Sequence, residues 1–524
     1  MRIGLFAWLI LLAALTAPTR GAESYDLVIR HGRVVDGSGN PAFFADVAVR
    51  QGRIAALGRI ERAGRIEINA AGLIVAPGFI DVHTHADEVA TRPLAENFVR
   101  MGVTTVVAGN CGSSTLDVAR FFRGIERTNA AVNVATLIGH NSVRRKAMGG
   151  SFARPPTPAE LAQMKALVGQ AMKDGAAGLS TGLIYQPGVH AQTDEIVALA
   201  KVIAPYGGIY ASHMRHEGAQ IYQALDEVFQ VARAAGIRAE VSHLKLSGPN
   251  AWGQAGQVLA RLEQARAEGL DITQDQYVYT ASSTGLSQLL PAWALEGGRD
   301  EFRQRVADPA LKARLIADLK RRLRDQKRDD FSYAVIASCA HDRALEGLNL
   351  AQAAQAKRGS AALEDQIETL LEIQARGGAS GVFHNMNEDD LQVFLRHPNT
   401  MVACDSGLRK FGEGMPHPRG YGNNARVLAR YVRELKVLRL EDAIRKMTSL
   451  PANTFRLPDR GLLRPGAWAD LVVFDADKVQ DRATFPAPHQ YPDGIPHVIV
   501  NGIPVVQNGQ HTGAKAGKAL RHSR

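Results

Sequence analysis

The chain has 524 residues, 45% of them hydrophobic and 22% charged, with 50 Gly and 23 Pro spread along its length. This composition is typical of a globular protein and excludes a disordered or collagen-like one. The net charge of +10 comes from scattered Lys and Arg rather than from a basic stripe, so the sequence argues against a nucleic-acid partner. Cys111, Cys339 and Cys404 are too few for a disulfide scaffold; pairing of Cys339 with Cys404 and simple buried thiols are both open.

Residues 1–21 have the pattern of an export signal, because Arg2 precedes an apolar run at 3–17 and small residues follow. The run is shorter than the about 20 apolar residues of a membrane-spanning helix. The sequence therefore predicts an exported protein, most simply periplasmic, which is soluble after signal cleavage and has no stable membrane association. An uncleaved N-terminal anchor is the alternative.

Short alternating strands separated by turns occupy residues 23–75, and similar β-rich sequence returns at 456–512. These two ends are expected to form one composite β-sandwich. Between them, residues 76–455 alternate apolar strands with amphipathic helices, as an α/β fold of the (β/α)8 barrel type requires. The clearest helix start is Thr157-Pro158-Ala159-Glu160, a capping box that predicts a helix to about Asp174.

The strand pattern of the middle region contains nine candidates, one more than a (β/α)8 barrel needs. The strand that ends at Asp275 or the one that ends at His384 is therefore expected to belong elsewhere. Residues 286–377 break the strand–helix rhythm and are interpreted as an insertion on the barrel. The last residues, 513–524, form a basic tail.

Metal-ligating side chains stand at the ends of several predicted strands. His83 and His85 are two residues apart at the end of one strand, and Cys111, His213 and His243 end others. Since the carboxyl ends of barrel strands converge on one mouth, these side chains can meet. Imidazole and thiolate are ligands that zinc prefers, and Asp405, at the end of a further strand, could act there as a proton shuttle.

Residues 76–85, Ala-Pro-Gly-Phe-Ile-Asp-Val-His-Thr-His, resemble the first-strand motif of the amidohydrolase superfamily. Within that superfamily, the chain resembles the N-acyl-D-amino-acid deacylases (D-aminoacylases) over nearly its whole mature length. The segments that carry this resemblance are 109–112, 180–185, 210–215, 242–245, 275–277 with 281–283, and 417–419.

The resemblance implies a tightly bound zinc ion and a second, weaker metal position. The zinc ligands it implies are Cys111, His213 and His243, while His83 and His85 form the second position. Asp405 is implied as general base and acid, and Tyr185 as the group that polarises the acyl carbonyl. Lys245, Tyr277, Ser283 and Arg419 match the group that holds the substrate carboxylate. Residues 407–415 are longer than is usual in the family, which leaves open whether Arg419 reaches this group.

The function implied is zinc-dependent hydrolysis of the amide bond of N-acyl-D-amino acids, which releases a carboxylic acid and a free D-amino acid. Residues 283–295 contain no Lys or Arg, so an apolar amino-acid side chain is expected if this segment lines the pocket. A cyclic-amide hydrolase of the dihydroorotase or hydantoinase kind is an alternative, but it generally needs a carboxylated Lys that residues 178–181 do not offer. A D-dipeptidase and a non-catalytic exported binding protein also stay open.

Overall fold

The computed structural model describes residues 24–522, so the predicted export signal lies outside the described residues. The first strands are β1 (Tyr25–Val34), β2 (Phe43–Arg50), β3 (Arg53–Gly58), β4 (Gly64–Asn69) and β5 (Ile74–Pro77). They form a sheet in which β1 pairs antiparallel with β2, and parallel with β4 and β5. Because alternate side chains of a strand point to the same face, Leu27, Ile29, Val47 and Val49 share one core.

Short, buried parallel strands follow. They are β6 (Phe79–Asp81), β7 (Thr84–His85), β8 (Val103–Ala108), β9 (Asn133–Thr136), β10 (Ile138–Gly139), β11 (Gly178–Gly182), β12 (Ile209–His213), β13 (Ala239–Val241) and β14 (Ile272–Gln276). β6, β8 and β9 pair in chain order, and so do β10 to β14. Parallel strands are typically covered on both faces, and these strands are buried throughout except at His85.

Helices connect these strands: α1 (Glu96–Val99), α2 (Val118–Thr128), α3 (His140–Met148), α4 (Pro158–Lys173), α5 (Thr193–Ile203), α6 (Ile221–Ala235) and α7 (Ala255–Ala267), with 3-10 turns at Gly188–His190 and Ala204–Tyr206. The capping box predicted at the start of α4 is confirmed. The Thr157 hydroxyl accepts from the Glu160 N–H at 3.3 Å, and the Glu160 carboxylate accepts from the Thr157 N–H at 2.7 Å. Asp174 is the C-cap.

A separate antiparallel sheet interrupts the alternation. Its strands are β15 (Ser282–Gly285), β16 (Ala334–Ser338) and β17 (Ser380–Phe383), paired in the order β15-β17-β16. Helices α8 (Ala292–Leu295), α9 (Arg299–Ala307), α10 (Pro309–Asp325), α11 (Leu350–Arg358) and α12 (Leu363–Ala375) accompany it, with 3-10 turns at Leu286–Leu289 and Arg343–Leu345. Together they enclose a hydrophobic core of their own. The strand before His384 therefore belongs here, and the strand of Asp275 lies among the parallel ones.

The parallel series then resumes and returns to its beginning. β18 (Thr400–Val402) follows α13 (Glu388–Arg396) and pairs with β14, while β19 (Ser406–Gly407) pairs in parallel with β7. The Asp405 N–H also donates to the His83 carbonyl at 2.9 Å. Helices α14 (Arg419–Arg426), α15 (Leu440–Met447) and α16 (Ser449–Thr454) follow, with a π-helix at Val427–Glu434.

The end of the chain rejoins the first sheet. β20 (Leu471–Phe474) pairs antiparallel with β5, and β21 (His497–Val500), β22 (Ile503–Gln507) and β23 (Gln510–His511) extend the sheet. Residues 513–522, the described part of the predicted tail, lie along the central strands, where the Val134 N–H donates to the Lys518 carbonyl at 2.9 Å.

The three cysteines are buried free thiols, so Cys339 and Cys404 do not pair. Within residues 24–522, no helix combines the length and the apolar character that crossing a membrane would need.

A buried polar cluster ties the sheet of the two chain ends to the central strands. Asp470 accepts hydrogen bonds from Arg460, from the Asn133 side chain at 3.1 Å and from the Asn501 N–H at 2.8 Å. The side chains of Arg460 and Asp470 are only 2% and 5% exposed. Removing one partner of such a pair leaves a buried charge uncompensated.

We expect Asp470→Ala to lower the free energy of unfolding by about 3–5 kcal/mol in urea titrations. Glu268→Ala is the matched control, because it breaks the exposed ion pair with Arg233 and should cost below about 1 kcal/mol. Equal losses in the two variants would contradict a supporting role for the buried cluster.

Candidate active site

A thiol and two imidazoles meet where parallel strands end. Cys111 follows β8, His213 ends β12 and His243 lies just after β13, and all three are buried. Cys111 Sγ lies 3.5 Å from His213 Nδ1 and 3.7 Å from His243 Nε2, and the two nitrogens are 2.8 Å apart. The strand ends thus bring together the three predicted ligands of the tight metal position.

A second group adjoins the first. His83 Nε2 lies 3.2 Å from Cys111 Sγ and 3.6 Å from Asp405 Oδ1, and His85 Nε2 is 3.2 Å from the same carboxylate oxygen. Cys111 therefore stands between the two groups. His83 is fully buried, whereas the side chain of His85 is 39% exposed, so this second group opens towards solvent.

Three of these residues have left-handed backbone conformations: φ is 52° at Cys111, 38° at His243 and 49° at Asp405. Each such conformation costs a side-chain-bearing residue about 1–3 kcal/mol and persists only where surrounding contacts hold it. Here the His243 N–H donates to Asp275 Oδ1 at 3.0 Å, and the Cys404 N–H donates to Asp81 at 3.0 Å. The strained turns aim the three side chains at one point.

The charges of the site fit a metal ion. Burial alone would raise the pKa of the Cys111 thiol, but His83 and His213 hold it well below its usual range. Burial would likewise raise the pKa of Asp405, but Arg419 at 2.9 Å and His83 hold it well below its usual range. Two groups that share His83, one with Cys111 and His243 and the other with His85 and Asp405, each have their ligand atoms within 4.8 Å of one another. Thiolate, imidazole and carboxylate are ligands that zinc accepts.

Glu217 is a site residue that the sequence patterns did not single out. Its Oε1 lies 2.9 Å from His243 Nδ1, 2.5 Å from Lys245 Nζ and 3.9 Å from His213 Nε2. A carboxylate on the far nitrogen of a ligating imidazole fixes the ring and its tautomer. The only local signal was an acidic residue four positions after His213, in the loop that leaves the strand end.

Asp275 orients His83 in the same way, since its Oδ2 lies 3.3 Å from His83 Nδ1. Beneath it, Glu240 is buried beside Asp275, and burial followed by the Asp275 charge raises the pKa of Glu240 well above its usual range. Buried carboxyl groups therefore form the floor of the site, and they fix the positions of the histidine side chains and of the backbone at the strand ends.

The predicted carboxylate-binding residues lie on one side of the site. The Arg419 guanidinium lies 4.4 Å from the centre of the Tyr277 ring, and Arg419 Nη2 donates to the Ser283 carbonyl at 3.4 Å. Arg419 thus reaches the site despite the long segment before it. Its buried Nε has no hydrogen-bond partner among the described residues. Lys245 is close to this group, 5.8 Å from the same ring centre, but its ammonium is held by Glu217.

Tyr185 lies over His213, with ring centres 4.9 Å apart. The Thr284 hydroxyl donates to the Tyr185 oxygen at 3.0 Å. Because that oxygen acts as the acceptor in this contact, the phenolic proton is left for another partner. Tyr185 thus stands beside the metal ligands with a donor available.

A cavity of about 1120 Å³ opens onto these residues. Its inner end includes Tyr185, His213, His243 and Asp405, and its outer wall comes from β15 to α10. The predicted apolar segment contributes Leu289, Leu290, Pro291 and Leu295 to this wall. The wall is not wholly apolar, however, because Arg322 of α10 also lines it and donates to the carbonyls of Gln288 and Leu289 at 2.5 and 3.1 Å.

Residues 67–506 match the sequence profile of the amidohydrolase family. The chain belongs to this family. N-acyl-D-glutamate deacylase of Alcaligenes xylosoxydans xylosoxydans is 38% identical over 507 residues, which cover 92% of this chain and 94% of the relative. This similarity along almost the whole chain places the amidohydrolase with the D-aminoacylases, as its strand-end motifs predict.

Two solved structures resemble this amidohydrolase closely. N-acyl-D-glutamate deacylase from Bordetella bronchiseptica, complexed with zinc and a phosphonate mimic of the tetrahedral intermediate, is 35% identical with a TM-score of 0.82. A D-aminoacylase described with a binuclear metal centre is 33% identical with a TM-score of 0.81. Each alignment covers 95% of this chain and 100% of the other.

We expect Glu217→Gln to weaken zinc binding about 10–100-fold in competition with a chromogenic chelator, because the His243 ring loses its anionic partner. Glu227→Gln is the matched control, since Glu227 is equally buried and pairs with Arg215, away from the ligand atoms. Unchanged zinc affinity in the Glu217 variant would refute the orienting role.

Proposed function

We propose that this amidohydrolase cleaves the amide bond of N-acyl-D-amino acids and releases a carboxylic acid and a free D-amino acid. The observation that carries the proposal is the meeting of Cys111, His213, His243 and Asp405 at the inner end of one cavity. The relatives that match nearly the whole chain are deacylases of N-acyl-D-amino acids, which supports the same substrate class.

Zinc fits the donor set, with Cys111, His213 and His243 as the residues that would hold it. His83 and His85 would hold a second ion beside Asp405, with Cys111 shared. When bound, the metal supplies a Lewis acid for the acyl carbonyl and lowers the pKa of water. The negative charge of the Cys111 thiolate and the carboxylates of Glu217 and Asp275 behind the imidazoles strengthen these ligands.

Asp405 is the group that moves the proton. It is ionised because Arg419 and His83 hold its pKa down, so it can accept a proton from the attacking water and deliver it to the leaving amine. Tyr185 directs its free phenolic proton at the acyl oxygen as negative charge develops there. The strained turn at Asp405 keeps the carboxylate aimed at the reacting centre.

Arg419 and Tyr277 receive the substrate carboxylate, with Ser283 and Lys245 at the edge of the same group. The free Nε of Arg419 is a buried donor that needs an acceptor, and a carboxylate supplies two. A hydantoin ring has no such free carboxylate, and β11 offers no Lys that could be carboxylated to bridge two metals. A linear N-acyl amino acid is therefore the better substrate.

We propose for the architecture a (β/α)8 barrel over residues 76–455, closed between its first and last strands. The pairing of β19 with β7 supports this closure. Residues 23–75 and 456–512 would form the composite β-sandwich, and the insertion would carry β15 to β17. We also propose that residues 1–21 direct export to the periplasm, on the sequence pattern alone.

Zinc-loaded mature protein should release amino acid from N-acetyl-D-amino acids and not from the L forms, in a chiral release assay. Asp405→Ala should lower the rate about 10²–10⁴-fold with zinc retained, because only proton transfer is lost. Cys111→Ala should lose the metal as well as the activity. If none of these N-acetyl amino acids releases amino acid while zinc is bound, the proposed function is refuted.

Two kinds of amino-acid side chain, apolar and acidic, are candidates for the substrate preference. Leu289, Leu290 and Leu295 favour an apolar D-amino acid such as D-Leu or D-Phe. Arg322 favours an acidic one, because its guanidinium lines the same wall and makes no ion pair with a carboxylate among the described residues. We propose the apolar preference, and a wild-type preference for N-acetyl-D-Glu over N-acetyl-D-Leu would contradict it.

We expect Arg322→Met to lower kcat/KM for N-acetyl-D-Glu by about tenfold or more and to leave that for N-acetyl-D-Leu nearly unchanged, because only the acidic side chain can use the charge. Arg321→Met is the neighbouring control, since Arg321 is already neutralised by Asp318 at 2.7 Å. Equal decreases of kcat/KM for both substrates would show that Arg322 only stabilises the cavity wall.

A further inference from the structure

A second cavity, of about 560 Å³, lies at the opposite end of the central strands from the metal-ligating residues. It is formed where α13 ends, where the π-helix ends and along α15, next to the start of β18. We call it the basic cleft. The charged residues that line it are Arg396, Lys436, Arg439, Arg445, Lys446 and Asp442.

The positive charge of the basic cleft exceeds the negative charge that the described residues bring to it. Among the described residues that line the cleft, Asp442 is the one carboxylate, and it is held by Arg439 through contacts of 2.8 and 2.9 Å. Among the described residues, Arg396, Lys436 and Arg445 make no ion pair with a carboxylate. Arg396 and Arg445 donate instead to neutral oxygens, those of Gln392 and Pro398.

Lys446 lies at the bottom of the basic cleft and is only 2% exposed. Its ammonium donates to the carbonyls of His397 and Thr400 and has no carboxylate partner among the described residues. Burial, followed by the nearby charge of Arg445, lowers the pKa of Lys446 to about 7. A buried ammonium group beside a like charge is costly, although Asp442 offsets part of this cost, and an anion bound in the cleft would relieve the repulsion between Lys446 and Arg445.

We propose that the basic cleft is a binding site for a small phosphate monoester. Its cations combine guanidinium groups, which contact phosphate oxygens in pairs, with ammonium groups, which act as point charges. Arg396, Lys436 and Arg445 together exceed the single charge of an N-acyl amino acid with an apolar side chain, so the substrate preference proposed for the active site does not match the cleft. Its volume suits a small molecule.

Isothermal titration of the zinc-loaded protein with glycerol 3-phosphate, at constant ionic strength set by NaCl, tests this site. We expect saturable binding that weakens at least about tenfold in the double variant Arg396→Gln/Lys436→Gln, because two charged contacts are lost. Both side chains are exposed, so the fold should tolerate the change.

The matched control is Arg120→Gln/Arg127→Gln, which removes the same charge from exposed positions of α2. It should keep the wild-type affinity, and both double variants should keep the deacylase rate. Absence of saturable binding, or equal weakening in both double variants, would overturn the proposal. So would binding that survives in the cleft variant but disappears when zinc is removed, since the phosphate would then sit on the metal.

Discussion

The parallel contact between the last and the first central strands is the constraint on which the site depends. Asp405 faces His83 and His85 because its N–H donates to the His83 carbonyl and β19 pairs with β7. Asp81 reinforces the contact by accepting from the N–H groups of both His83 and Cys404. The carboxylate proposed to transfer protons and the histidines proposed to bind metal are thus fixed by one set of backbone hydrogen bonds, although more than 300 residues separate them in the chain.

Residues whose role follows from their position on a strand were predictable from the sequence. A strand that ends in two histidines, or in Cys or His after apolar residues, places those side chains at the mouth of a parallel sheet whatever the rest of the chain does. The same holds for the capping box of α4, which spans only four consecutive residues. In such cases the local pattern already contains the geometry, so the proposed metal ligands and Asp405 could be named before any contact was known.

Glu217 and Arg322 could not be named in this way, because their roles are set by contacts between distant elements. Glu217 lies in an irregular loop, and nothing in its neighbourhood specifies that it meets His243 and Lys245. Arg322 belongs to a helix whose basic face is typical of a solvated surface, yet Arg322 lines the cavity and donates to a backbone carbonyl of its wall. The strand before His384 posed the same problem, since a short apolar strand does not encode its partners or their direction.

The two ends of the cavity pack against different hydrophobic cores. The inner end stands on the central strands and their hydrophobic core, whereas the outer wall stands on a region that packs around a core of its own. Changes of volume in one core are absorbed mainly by its own neighbours, and distant sites combine nearly additively. Substitutions could therefore remodel the wall that is proposed to meet the amino-acid side chain, residue by residue, while the proposed catalytic end stayed intact. Such a division allows related hydrolases to accept different substrate side chains while their catalytic residues stay the same.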